Sequence, residues 1–238
     1  MLEKAWRMRE ICLIYVQWIR AWIQVHGIRA YNYVKGHEDN VVKIIITLIR
    51  SRKISILVDI GAYIGFYTLL AAKHGCKVIA FEPDPRSFVL LKNNVQMADL
   101  SDRVLCFNIA LGDKRGKLKF RLASIPSESS ATEYLQNGFS KCMNVSMTTI
   151  DDTFERLFLN DVGMLMKIDV EGFGLHVING ALKTIAKFKP IIILEVHRTF
   201  SFDDEFNAIN LLTKLGYIYE ILEFRSIRNF ILIFYPHT

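Results

Sequence analysis

Apolar residues fall along the chain in two alternating periods. Short apolar runs at 54–60, 77–81, 103–109, 164–168 and 191–196 read as strands. Between and after them, 64–74, 86–98, 175–187 and 202–215 carry the three-to-four-residue spacing of helices, with Pro190 and Gly216 as stop signals. Strands alternating with helices predict a parallel sheet covered on both faces. The last two runs, 217–223 and 230–235, predict a closing antiparallel hairpin at one edge.

The alternation is interrupted over 112–148. Residues 117–122 alternate like a strand and 144–148 is its candidate partner, but ASIPSESSATEYLQNGFSK between them is too polar to form core. Long loops inside a compact domain point to function, so this stretch reads either as a substrate cover or as an insertion without a role. At the other end, residues 11–28 (ICLIYVQWIRAWIQVHGI) are apolar around one charge, Arg20. A central Arg costs about 2.5–3.5 kcal/mol in a membrane-spanning helix, and no small-residue cleavage site follows, which argues against a signal peptide. Ile11, Ile14, Tyr15, Trp18, Trp22 and Val25 share one face at helical spacing. The favoured reading packs that face over the main domain or against a second copy in a homodimer. The other lays it on a membrane surface, with Arg7, Arg9 and Arg20 beside the Trp residues. The expected organisation is an N-terminal helical arm over 1–50 and one domain over 51–238, with 112–148 as its irregular insertion.

Composition narrows this further. The chain has 238 residues, 51% hydrophobic and 23% charged, which fits one domain with additions and excludes a disordered chain. Its formal charge of +6 permits an anionic partner without identifying one. Cys12, Cys76, Cys106 and Cys142 form no C-x-x-C pair. A reducing compartment is therefore expected, cytoplasmic and either free or peripheral to a membrane.

The candidate chemistry lies at the strand ends. The first strand runs into Asp59-Ile-Gly61-Ala62-Tyr63-Ile-Gly65-Phe66, where glycines let backbone approach a ligand closely. A dinucleotide loop would read G-x-G-x-x-G. Here only two of those glycines are present, and Asp59 would repel a pyrophosphate, which makes a nicotinamide dehydrogenase the weakest option. The same Asp suits a cationic amine such as that of S-adenosylmethionine. Glu82, followed by Pro83, ends the second strand 21 residues after Gly61, where a carboxylate can accept both ribose hydroxyls. Asn108, Ala110 and Gly112, in the turn after the third strand, are placed near the adenine; a plain tight turn is the alternative.

The fourth and fifth strands end in Lys167-Ile-Asp169-Val-Glu171 and Glu195-Val-His197. Residues two apart in a strand point the same way, so these five form a candidate catalytic group. Methyl transfer needs mainly in-line positioning of the acceptor, and an alcohol acceptor gains from a base. His197, with an unperturbed pKa of ~6.5, is the candidate base. Asp169 would orient the acceptor or the donor's amine, and Glu171 or Glu195 would orient His197. Mg²⁺ is chemically compatible with these oxygens, but no metal ligand is assigned. The bland alternative pairs Lys167 with an acid and leaves the rest to satisfy strand ends.

VDIGAYIGFYT, FEPDP, TTIDD and KIDVEGFGLHVINGA together resemble the FkbM family of S-adenosylmethionine-dependent methyltransferases, over about 54–223. The resemblance implies a Rossmann-like class I fold with a mostly parallel seven-stranded sheet. It implies methylation of a hydroxyl on a sugar, polyketide or similar small molecule. Asp59, Gly61 and Gly65 would meet the methionine end, Glu82 the ribose, and Asp169 and Glu171 the transferred methyl. Many relatives carry an acid where this chain has Gly174, so that charge is missing locally. An acceptor on a glycan or lipid is the leading expectation. RNA or protein methylation and a non-catalytic adenosyl-binding scaffold are the alternatives. Asp169-Val-Glu-Gly172 lacks the N/D-P-P-Y/F pattern of base N-methylation, which argues against nucleic acid while leaving ribose methylation open.

Overall fold

A computed structural model describes residues 39–122, 141–157, 163–197, 202–226 and 229–237. The apolar face at 11–28 and the polar stretch at 123–140 lie outside them. Helix α1 (Asp39–Arg50) leads into β1 (Ile56–Ile60), α2 (Phe66–Lys73), β2 (Lys77–Phe81), α3 (Pro85–Met97) and β3 (Val104–Phe107). A short β4 (Ala110–Leu111) is followed by β5 (Gly116–Leu122), β6 (Lys141–Thr148) and α4 (Ile150–Leu157). The chain then runs through β7 (Met164–Ile168), α5 (Gly174–Asn179), α6 (Leu182–Phe188), β8 (Ile191–His197), α7 (Phe202–Lys214), β9 (Tyr217–Ser226) and β10 (Asn229–Pro236).

Seven strands pair in the order β3-β2-β1-β7-β8-β10-β9. All neighbours through β8 are parallel, and β10 runs antiparallel to both β8 and β9. This is the Rossmann-like mixed sheet that the resemblance implies, with its antiparallel hairpin at one edge. The chain winds outward from β1 to β3, then returns beside β1 with β7. That reversal opens a crevice beyond the carboxyl ends of β1 and β7, where ligands bind in open α/β sheets.

Strand alternation sorts the core into two layers. Leu57, Leu165, Ile193, Ile231 and Ile233 face α1, α2 and α3, meeting Val41, Ile45, Leu70 and Leu91. Val58, Met166, Ile192, Leu194 and Phe234 face the other helices, meeting Phe154, Val177, Ile185 and Leu212. A second, three-stranded sheet, β4-β6-β5, joins the interrupted region to the main fold. Its Ala110, Phe120, Val145 and Met147 bury together, with Phe173 packed against them.

The structure divides the helix expected over 175–187 in two at Gly180 and Ala181. A Cβ on Gly180 would stand 1.9 Å from the Gly112 carbonyl oxygen, so the chain must change course there. Asp151 supplies the cap for the second piece: its carboxylate accepts from Lys183 N at 3.0 Å and Thr184 N at 2.8 Å. Helix α4, which holds that Asp, was not expected from the pattern. Among the described residues no helix is long and apolar enough to cross a membrane, and Cys76, Cys106 and Cys142 are free thiols.

Close backbone approach also fixes the floor of the sheet. Gly163 O accepts from Ser55 N at 2.8 Å, and a Cβ on Gly163 would stand 1.9 Å from the Lys53 carbonyl oxygen. Gly163→Ala should therefore cost roughly 1–3 kcal/mol in denaturant unfolding. Gly116→Ala, with nothing within 4 Å of the added carbon, should leave the midpoint nearly unchanged.

Candidate active site

On the face shared with α2, the apolar strand rows turn polar over their last residues. Leu57 is followed two positions later by Asp59, Leu165 by Lys167 and Asp169, and Ile193 by Glu195 and His197. Asp59 and Lys167 are side by side in the β1–β7 register. Lys167 is buried, its Nζ donating to Asp169 Oδ2 at 3.0 Å and lying 4.7 Å from the centre of the Tyr67 ring. Burial works against the Asp169 charge, but Lys167 and His197 outweigh it and hold this carboxyl well below the usual range. For Asp59 burial wins and raises the pKa, with Lys167 and the Thr68 hydroxyl opposing it. Thr68 Oγ1 donates to Asp59 Oδ2 at 2.6 Å, while Asp59 Oδ1 has no hydrogen-bond partner among the described residues.

The glycine loop is built by the protein's own crossing as much as by any ligand. Gly61 has φ +80°, and a Cβ there would stand 1.8 Å from the Asp169 carbonyl oxygen. Gly61 N and Ala62 N both donate to the Phe81 carbonyl at 3.0 Å. Tyr63, at φ 53°, then donates its N–H to Glu82 Oε2 at 2.8 Å. Gly65 ends the loop at φ +94°, just before α2 begins with Phe66. Asp84 N donates to the other Glu82 oxygen at 2.8 Å. Glu82 is thus gripped at both oxygens, with one backbone donor on each and lone pairs to spare. Burial pushes its pKa up to about 8 against those two hydrogen bonds. Asn108 Nδ2 is engaged by the Glu82 and Pro83 carbonyls, at 2.8 and 3.2 Å. Ala110 is buried in β4, and Gly112 is required by Met147, whose Sδ would stand 2.6 Å from an added Cβ.

His197 is surrounded by acids. Its Nε2 lies 3.3 Å from Glu195 Oε1 and 3.5 Å from Asp169 Oδ1, and its Nδ1 lies 3.5 Å from Glu171 Oε2. Glu171 is brought there by a left-handed turn at φ 49°. Desolvation lowers the imidazole pKa, but the hydrogen bond to Asp169 and the three carboxylate charges reverse this and lift it to about 9. All five expected catalytic residues therefore meet at one mouth, together with two that the sequence pattern did not single out. Arg225 of β9 donates from Nη1 to Glu195 Oε1 at 2.7 Å. Glu205 of α7 is buried near His197, its carboxyl pushed up to about 7 by burial against the opposing pull of His197. Its Oε2 lies 3.7 Å from where a Gly174 Cβ would be, so a carboxyl does border that glycine. Asp169, Glu195 and His197 bring one ligand atom each within 4.8 Å of one another. Lys167 and Arg225 already pair with two of them.

The family model for the Methyltransferase FkbM domain matches residues 59–219. The chain belongs to the FkbM methyltransferase family. No curated protein matches its sequence. Its fold is similar to that of Methyltransferase FkbM from Methylobacillus flagellatus KT, at 18% identity and TM-score 0.56, covering 77% of this chain and 44% of that one. This chain thus spans less than half of the Methylobacillus protein. Similar in fold too are the O-methyltransferase from Bacillus cereus in complex with SAH and the SAH-bound methyltransferase PaMTH1 from Podospora anserina. The first shows 12% identity and TM-score 0.54 over 91% of this chain and 90% of that one. The second shows 13% and 0.54 over 97% and 94%.

S-adenosylmethionine is the cofactor of this FkbM protein, and the residues present fit it. The orphaned Asp59 oxygen asks for a donor such as an amine, and the half-used Glu82 carboxylate can accept from a diol.

Removing Lys167 leaves Asp169 and Asp59 without their buried counter-charge. Lys167→Met should destabilise by roughly 3–5 kcal/mol, with part of the loss recovered in Lys167→Met/Asp169→Asn, both read by denaturant unfolding. Glu82 predicts a pH dependence. Its folded-state pKa of about 8 lies above the ordinary 4.5, so between those values the folded chain keeps a proton the unfolded chain has released. Its contribution is present below 4.5 and lost as pH rises through 8. Glu82→Gln should flatten that fall in the ligand-free protein, as a series of melts from pH 4.5 to 8 will show.

Proposed function

We propose that this protein transfers a methyl group from S-adenosylmethionine to a hydroxyl oxygen of a glycan, lipid-linked or other small-molecule acceptor. The observation that carries this reading is the His197 imidazole held among Asp169, Glu171 and Glu195 beside the β1–β7 crevice. Bound S-adenosylmethionine supplies an electrophilic methyl on a sulfonium leaving group. Asp59 would hold the cofactor's amine and Glu82 its ribose hydroxyls, with Gly61, Ala62, Tyr63, Gly65 and Phe66 lining the turn between them. Pro83, Asn108 and Ala110 would support the nucleoside end.

A hydroxyl acceptor must shed a proton as its oxygen forms the new bond, and His197 is the group at the mouth that can take it. Glu171 orients the ring from Nδ1, and Asp169 faces Nε2, where the proton would be taken up. Glu195, itself held by Arg225, stabilises the imidazolium that results. Lys167 keeps Asp169 ionised for that task. The similarity in fold to the O-methyltransferase from Bacillus cereus accords with methyl transfer to oxygen.

Calorimetric titration with S-adenosylhomocysteine, comparing wild type with Glu82→Ala, tests the cofactor half. Saturable binding lost in the variant is expected, and absence of binding to wild type sinks the reading. Labelled-methyl transfer tests the acceptor half: a glycan or lipid-linked hydroxyl yields an ether that survives mild base, whereas a carboxyl methyl ester on protein does not.

The base assignment predicts a pH profile. Because His197 titrates at about 9, only the small neutral fraction can accept a proton at pH 7. The kcat/KM for S-adenosylmethionine, which follows the free enzyme, should climb with pH and level near 9. His197→Asn should lose that limb and lower the rate by about 10²–10⁴-fold.

A further inference from the structure

Strand β9 is the last strand of the main sheet. Among the described residues no strand pairs with its outer edge. Tyr219, Ile221 and Phe224 are 49%, 61% and 62% exposed. Their partners on β10 are Phe234, Leu232 and Phe230, which places all three on the α7 side of the sheet. A ten-residue edge carrying apolar side chains is a template for unwanted pairing, and proteins cover or blunt such edges. Two register shifts, opposite Asn229/Phe230 and Ile231/Leu232, twist this one without burying its side chains.

The N-terminal segment enters the fold beside this edge. Asn40 Nδ2 donates to the Leu222 carbonyl at 3.1 Å, so the chain arrives at the middle of β9 after 39 residues, on the α1 side, with only the strand's outer edge to round before Tyr219, Ile221 and Phe224. A helix over 11–28 would be about 27 Å long, and ten strand residues span about 33 Å. Residues 29–38, extended, reach about 33 Å, enough to lay such a helix back along the strand. Tethering also gives the segment an effective concentration of order millimolar at this edge, far above that of a diffusing partner.

We propose that residues 11–28 dock in cis on the β9 edge, setting Ile11, Ile14, Tyr15, Trp18, Trp22 and Val25 against Tyr219, Ile221 and Phe224. Phe224 immediately precedes Arg225, which holds Glu195 beside His197. The docking itself does not depend on the methyl-transfer reading.

The test uses the full chain carrying Trp6→Phe, because its two remaining tryptophans, Trp18 and Trp22, both lie in the segment. Their fluorescence reports on it alone. A nitroxide on Ile221→Cys, in a Cys12→Ser/Cys142→Ser background, should quench most of that emission independently of protein concentration. The same label on Leu105→Cys, exposed on β3 at the opposite edge, should not. Unlabelled Ile221→Asp/Phe224→Asp should red-shift the emission while binding S-adenosylhomocysteine as wild type does. Equal emission with both labels would overturn the proposal. So would quenching seen only when a labelled chain with all three Trp→Phe is mixed with the unlabelled Trp6→Phe chain, which would mean a second copy. Quenching by brominated phosphatidylglycerol vesicles but not by the label at 221 would overturn it in favour of a lipid surface.

Discussion

The buried ion pair between Lys167 and Asp169 is the interaction on which the site depends. Its 3.0 Å contact lies where an apolar strand face becomes a charged one, and Lys167 is nearly sealed from solvent. A lone ammonium in that position would be expelled or would lose its proton. It is kept by Asp169 on its own strand, by Asp59 one strand over and by the Tyr67 ring beneath. The same ammonium lets Asp169 remain a carboxylate beside His197. One cation thus serves both halves of the crevice, the Asp59 half that meets the glycine loop and the Asp169 half that meets the imidazole.

The topology makes this economical. β1 and β7 are neighbours because the winding reverses between them, so their last residues are the ones left uncovered by a crossover helix. Gly61 must approach the Asp169 carbonyl for the two strand ends to pass each other. Packing and ligand access impose the same residue at that position. The antiparallel hairpin then carries Arg225 back toward β8, where it spans from Glu223 to Glu195 over Ile231.

Much of this was legible in the sequence, and the limits have a physical origin. Period-two alternation announced the strands, and it also placed Lys167, Asp169, Glu195 and His197 on one face, since spacing along a strand determines facing. The acid Glu82 was legible from its distance to Gly61. The reason for Gly61 was not, because the carbonyl it must clear belongs to a residue more than a hundred positions away. Arg225 and Glu205 were missed for the same cause. In the sequence they read as an ordinary edge-strand charge and an ordinary acid in the first turn of a helix. Only the pairing of β9 through β10 to β8, and the packing of α7 at the end of β8, turns them toward His197. The break at Gly180 depends on a contact with Gly112 that no local pattern encodes.

The charge inventory at the mouth also explains why an imidazole there behaves unlike a free one. Asp169, Glu171 and Glu195 all lie within 3.5 Å of the ring, and Glu205 adds a buried carboxyl behind it. Lys167 and Arg225 offset two of these, and a proton on His197 offsets a third. Such a site prefers to hold positive charge, which suits a sulfonium donor but opposes release of the imidazolium proton. The two demands are coupled. Any further cation brought into the crevice draws on the same carboxylates that stabilise the proton on His197, and so lowers the pKa of that ring toward neutrality. An acid-rich mouth is thus compatible with base catalysis because the ligand it attracts is itself cationic. On the proposed function, the ring would accept a proton only once the charge that replaces that proton has arrived.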